Sequence, residues 1–96
     1  MAQSIKLGSN TYLDWTGLAV DYEDVTVTCG TTLFHTMYYG DKTPSHATRN
    51  KCVGMYVYNV DNSRPAVPTW VDNTTLRIWS PTDSTEAVVR VFYKIP

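Results

Sequence analysis

Apart from its aspartates, few side chains in this sequence are suited to catalysis or to holding a metal: two histidines, His35 and His46, two cysteines, Cys29 and Cys52, and two glutamates, Glu23 and Glu86. The histidines and cysteines do not share the close spacing of a structural metal site. Ser45 next to His46 is not a nucleophile arrangement, because triad partners are brought together by the fold and no GxSxG turn is present. Asp21, Glu23 and Asp24 in "DYEDV" offer oxygens to calcium, but the stretch lacks the alternating oxygen ligands and central glycine of a calcium-binding loop, so a solvated acidic turn is expected. Glycoside hydrolysis needs two placed carboxyl groups in a cleft, and Glu23 and Glu86 fall on separate turns. Phosphate-cradling glycine loops are also absent. The sequence therefore points to a protein that is not an enzyme and needs no cofactor or metal. His35 is expected as a partly buried strand residue and His46 as a solvated loop residue.

Aromatic and basic side chains interleaved at period two are the more informative pattern. In a strand, alternate residues point to opposite faces. In the closing stretch "TTLRIWSPTDSTEAVVRVFYKIP", Leu76 and Ile78 face one way while Arg77 and Trp79 face the other. Beyond the turn, Ala87, Val89, Val91, Tyr93 and Ile95 oppose Val88, Arg90, Phe92 and Lys94. The second faces thus carry Arg77 with Trp79 and Arg90 with Phe92, and similar faces recur at Phe34 and Tyr38 and at Tyr56 and Tyr58. If the last two strands are hairpin neighbours, guanidinium and ring stack there, and the surface is suited to burial. Three covers are open: another sheet of the chain, with inside and outside exchanged in one strand; a second protomer, contacting Arg77, Trp79, Arg90 and Phe92; or a sugar stacked on Trp15, Trp70 or Trp79.

The elements that position these residues are strands. Thr, Val and Tyr dominate, and no window shows the apolar stripe of a helix. Short strands are expected over 3–7 and 11–16, separated by Gly8-Ser9-Asn10, then over 24–29, with Val25, Val27 and Cys29 inward. Gly30 permits a bend before a strand over 31–39, in which Leu33, His35, Met37 and Tyr39 share a face. Residues 40–51 form a polar loop carrying Lys42, His46, Arg49 and Lys51, a candidate contact for an acidic partner. A strand over 52–60 follows, with Val53, Met55 and Val57 on one side. A turn at 61–65, an edge or connecting stretch marked by Pro65 and Pro68 before residues 69–71, a tight turn at Asp72-Asn73 and the final hairpin through 80–85 complete the chain. No internal repeat is evident. Seven or eight short strands imply one all-β domain over 1–96, a compact antiparallel β-sandwich or jelly-roll-like barrel.

Composition narrows the partners. Ninety-six residues suffice for one core, and a net charge of -1 supplies no global field for nucleic acid. No leader pattern precedes Ile5, and no apolar run is long enough to span a membrane, so synthesis in the cytoplasm and no membrane insertion are expected. Cys29 and Cys52 are expected as reduced, buried thiols, with a strand-to-strand disulfide as the alternative in an oxidising medium.

Two stretches, "SIKLGSNTYLDWTG" and "TTLRIWSPTDSTEAVVRVFYKIP", carry a resemblance. The first resembles the opening of small virion proteins of tailed bacteriophages and prophages, the second the closing strands of phage fibre-head domains. The resemblance implies a β-sandwich that assembles, often as a trimer, with other virion proteins as neighbours, and that decorates the particle or binds a host-surface glycan. A long shaft and coiled-coil heptads are missing, which favours a decorating or tip-forming role. A monomeric carbohydrate-binding module is the alternative from a different class.

Overall fold

The computed structural model describes the backbone of residues 4–6, 12–14 and 19–95, and side chains from residue 19 to residue 95. Trp15, and the parts of the first two expected strands beyond 4–6 and 12–14, lie outside the described residues. Eight strands are present among those described: β1 Ser4–Lys6, β2 Tyr12–Asp14, β3 Ala19–Thr28, β4 Tyr38–Lys42, β5 Cys52–Val60, β6 Val67–Trp70, β7 Leu76–Ser80 and β8 Glu86–Ile95. A single 3-10 turn, Asp61–Ser63, follows β5. No helix among the described residues is long and apolar enough to cross a membrane.

The protein is all-β, with two antiparallel sheets in a sandwich-like arrangement. One sheet has the order β1-β2-β3-β8-β5 and the other β4-β7-β6. The period-two pattern explains what lies between them. Val25, Val27, Ala87, Val89 and Val91 from the larger sheet meet Leu76 and Ile78 from the smaller one, and all are buried. Leu76 and Ile78 are fully buried, each contributing on the order of 1.5–3 kcal/mol. Inside and outside are therefore as expected for β3, β7 and β8.

The expected final hairpin is not formed. β8 is flanked on both hydrogen-bonding edges, by β3 over ten residue pairs and by β5, so β7 has no edge of β8 to pair with. The chain instead crosses from one sheet to the other through residues 81–85. Two buried hydroxyls hold this crossing. Ser80 Oγ donates to the Pro65 carbonyl at 2.8 Å and accepts from the Thr82 N–H at 3.3 Å, while Thr85 Oγ1 donates to the Thr82 carbonyl at 2.8 Å.

The second departure concerns residues 31–37, expected as a strand. Phe34 and Met37 pair only with each other, around His35 with φ of 58°, and this small turn leaves both Leu33 and His35 exposed. The strand begins at Tyr38 instead, so Lys42 closes β4 and the polar loop is residues 43–51. Gly40 has a specific reason to be glycine: a Cβ there would run into the Thr28 carbonyl where β4 crosses β3.

β5 departs from simple alternation at two register shifts, between Cys52 and Gly54 and between Val57 and Asn59. Each bulge inserts one residue and moves the phase by one. Cys52, Met55, Val57 and Val60 consequently all pack toward the core, while Val53, expected beside Met55, is exposed. The edge strand of the smaller sheet is 67–70 rather than 69–71, with Pro68 on an edge where no ladder donor is needed.

Both cysteines are free; Cys29 is buried and Cys52 half-buried. Cys29 sits beside Thr85 and Cys52 opposite Tyr93. Eight residues of β8 separate those positions, roughly 26 Å, which excludes a disulfide between them within this fold, since bridged Cα atoms lie within about 7 Å. Burial also pushes the Cys29 thiol above its ordinary pKa.

Candidate functional site

The four residues expected to form one contact surface are divided by the sheet crossing. Arg77 and Trp79 stand on the outer face of the smaller sheet, and Arg90 and Phe92 on the outer face of the larger one. Each pair nevertheless finds the same partners. On the larger sheet, Tyr22 lies opposite Phe92 and Asp24 opposite Arg90. On the smaller sheet, Tyr39 lies opposite Trp79 and Asp41 opposite Arg77. A Tyr-x-Asp strand is thus paired with an Arg-x-aromatic strand in both places.

The geometry within the two clusters is closely matched. Arg90 donates to both carboxylate oxygens of Asp24, Nε to Oδ1 at 2.8 Å and Nη2 to Oδ2 at 3.0 Å. Arg77 does the same with Asp41, at 2.7 Å and 3.0 Å. Such bidentate pairs fix the guanidinium plane as well as its charge. The fixed plane of Arg90 then covers Tyr22 at 4.3 Å and Tyr58 at 4.0 Å, and that of Arg77 covers Tyr39 at 4.1 Å and Trp79 at 5.3 Å. In both cases the hydrogen bonds to the aspartate hold the arginine above its already high ordinary pKa, outweighing the opposing effect of desolvation.

Around these clusters the surfaces differ. On the smaller sheet Phe34, from the 31–37 turn, comes within 6.0 Å of both Tyr39 and Trp79, measured between ring centroids. Trp79 Nε1 donates to Thr69 Oγ1 at 3.3 Å. This cluster is therefore partly closed by the chain itself. On the larger sheet the neighbouring strand supplies Tyr56 and Tyr58, which are 47% and 54% exposed. The Tyr56 ring lies 6.3 Å from Phe92 with only 20° between their planes. No loop residue covers this second group among the described aromatic contacts.

The remaining sequence candidates have other surroundings. Trp70 is half-buried against the core, and its indole N–H is buried with no hydrogen-bond partner among the described residues. Trp79 is half-buried within the cluster described above. Lys42, His46, Arg49 and Lys51 are exposed at one end of the sandwich, where the His46 ring lies nearly parallel to Tyr93, at 6.4 Å and 18°.

The acidic turn expected at "DYEDV" is part of β3, and period two sends its carboxylates to different tasks. Asp24 points outward to Arg90. Glu23 points to the sandwich edge and accepts backbone N–H groups from Ser45 at 2.6 Å and from His46 and Ala47 at 2.9 Å. Burial raises the Glu23 pKa, but these three donors and the nearby His46 outweigh it and leave the group below its ordinary value. Glu23 is thus the anchor of the 43–51 loop. No group of three His, Cys, Asp or Glu side chains among the described residues is placed to hold a metal, and their surface has no enclosed pocket.

The repeated cross-strand cluster was missed in the sequence, although its signal is there: Tyr-x-Asp at 22–24 and 39–41, and Arg-x-aromatic at 77–79 and 90–92. Fold and surface together define a small all-β, two-sheet protein with an aromatic outer face on each sheet. The chain matches no protein-family model, no curated protein and no solved structure.

Proposed function

We propose that this chain is a non-enzymatic structural or adhesion protein that assembles with copies of itself through the outer face of its larger sheet. The observation that supports this reading is the open cluster of Tyr22, Tyr56, Tyr58 and Phe92 around the Arg90–Asp24 pair. An exposed aromatic patch on a small protein favours burial against a partner, and the internal ion pair lets that patch be covered without leaving an unpaired charge. The resemblance of residues 4–17 and 74–96 to phage virion proteins supports a role in a phage particle, as a decoration protein or fibre tip made in the host cytoplasm and incorporated with other virion proteins. A trimer is the leading expectation from the same resemblance.

The test is molar mass in solution, by light scattering after size exclusion over a dilution series. A stable multiple of the 10.8 kDa chain, reduced to the single-chain mass by Phe92→Glu, supports the reading. Retained assembly in that variant removes this face from the contact.

A monomeric carbohydrate-binding module is the second reading, favoured by the near-parallel Tyr56 and Phe92 rings, which offer a sugar ring a flat stacking surface. A saturable fluorescence change on glycan titration, with mass fixed at one chain, supports this reading over assembly.

A further inference from the structure

The outer edges of the two sheets differ in how they are guarded. An edge strand presents unpaired backbone N–H and C=O groups, and proteins blunt it with charge, proline, shortness or a bulge. On the smaller sheet, β4 carries Asp41 and Lys42, and β6 carries Pro68. On the larger sheet, β1 is three residues long, whereas β5, "CVGMYVYNV", has nine residues with neither a charge nor a proline. β5 pairs with β8 alone among the described strands. Side chains reach its backbone only near the two ends among the described residues. There the Cys52 thiol donates to the Gly54 carbonyl at 3.5 Å, and the Val60 N–H donates to Asn59 Oδ1 at 3.0 Å. The two register shifts of β5 leave Gly54 to Val57 in unbroken register between them, so the middle of this edge keeps regular strand geometry.

We propose that this edge pairs antiparallel with β5 of a second copy, joining two larger sheets into one. The inference rests on the self-assembly reading and adds a backbone-bonded contact at the border of the aromatic face. A second copy is the occupant because the strand suits itself. With no charge between Cys52 and Val60, antiparallel self-pairing sets no like charges opposite each other. A two-fold axis beside Tyr56 keeps outer residues opposite outer residues, so Tyr58 of each copy falls opposite Gly54 of the other. A Cβ on Gly54 meets nothing within 4 Å, which leaves room for that ring, as when an aromatic side chain covers an edge glycine. Gly54 and Tyr56 lie opposite Phe92 and Arg90, and Tyr58 lies under Arg90. The aromatic clusters of the two copies therefore become neighbours on one surface. The same patch meets itself, so the contact is isologous and joins chains in pairs.

The test uses the full chain and the variant V53K/N59K, whose two positions are exposed and outside the aromatic clusters. In the two-fold pairing, position 53 of one copy lies by position 59 of the other, so the variant sets like charges together at both ends of the contact. Light scattering gives the dissociation constant, and hydrogen exchange of the β5 amides reads the backbone. For the unaltered chain, exchange within residues 55–58 slows as rising concentration raises the mass, because edge N–H groups become bonded between copies. A contact between side-chain faces alone leaves those groups unpaired. The variant, folded by circular dichroism, dissociates at a concentration at least about tenfold higher than the parent. Association without concentration-dependent slowing in β5 overturns the edge contact and leaves self-assembly through the aromatic face standing, and so does an unchanged dissociation constant in the folded variant. If the variant does not fold, the exchange pattern of the unaltered chain decides. A chain that stays monomeric at every concentration overturns both.

Discussion

The two outer faces carry the same cross-strand cluster and differ in what surrounds it. On the smaller sheet, the 31–37 turn brings Phe34 onto Tyr39 and Trp79. On the larger sheet, β5 adds Tyr56 and Tyr58, and among the described residues no loop comes over them. An Asp–Arg pair flanked by rings is evidently a unit that stabilises a strand pairing wherever it sits, since each pair lies directly opposite in register. Whether the unit is also a contact surface depends on its neighbours. The smaller sheet spends its cluster on internal packing, and the larger sheet leaves its cluster available to another molecule.

Truncation should separate the faces most clearly. Trp79→Ala removes a ring packed by Phe34, Tyr39 and Arg77 and should cost about 2–3 kcal/mol in denaturant unfolding, below the range for a fully buried tryptophan. Phe92→Ala, measured on dilute protein, should cost about 1 kcal/mol, with most of its effect appearing in association instead. Equal losses at the two sites would mean that the faces are equally closed and that the comparison fails.

Glu23 supplies a smaller effect that belongs to neither aromatic face. Glu23→Gln should cost about 1 kcal/mol at neutral pH by weakening three backbone hydrogen bonds to a carboxylate. Because the folded-state pKa lies below the ordinary 4.5, the stabilisation is fully present above that value and is lost as pH falls through the folded-state pKa. Thermal melts of the parent and variant should therefore converge at acid pH while remaining apart at pH 7. A constant gap from pH 7 down to about pH 2 would show that the carboxylate charge is not what holds the loop.

The smallest change in stability, about 0.5 kcal/mol, is expected for Phe34→Ser, because Phe34 is 49% exposed and gives up only part of a side chain's burial. Its larger consequence concerns the comparison itself. Uncovering Tyr39 and Trp79 should give the smaller sheet an open face and raise association in light scattering. No rise in mass would show that aromatic exposure alone is insufficient to make a contact surface.

Much of the core was legible in sequence because period two reports directly on burial. Val25 and Val27, Leu76 and Ile78, and Ala87, Val89 and Val91 are inward as the alternation requires. The Asp72-Asn73 turn was legible too, and Asp72 Oδ1 accepts the Thr74 and Thr75 N–H groups that shape it. The failures came where a non-local partner decided the outcome. Residues 31–37 alternate well enough for a strand but have only each other to pair with. The phase of β5 was lost because a bulge is set with the neighbouring strand: Gly54 marks the first register shift locally, and nothing in the sequence marks the second, between Val57 and Asn59. Ser80 to Thr85 looked like a hairpin turn because only the assignment of strands to sheets distinguishes a turn from a crossing.

The sequence by itself determined that this protein is built of strands, which side chains of β3, β7 and β8 form its interior, and that its outer positions combine aromatic rings with arginine. Those properties follow from residue type and spacing, and each strand expresses them locally. Only the tertiary structure decided that β7 and β8 lie in different sheets, that Arg77 and Arg90 each find an aspartate across a strand, that Glu23 anchors a loop more than twenty positions away, and that one aromatic face is partly covered by Phe34 while no described loop covers the other. Each of these depends on which strands share an edge, and backbone hydrogen bonding between strands is nearly independent of the side chains that the sequence specifies.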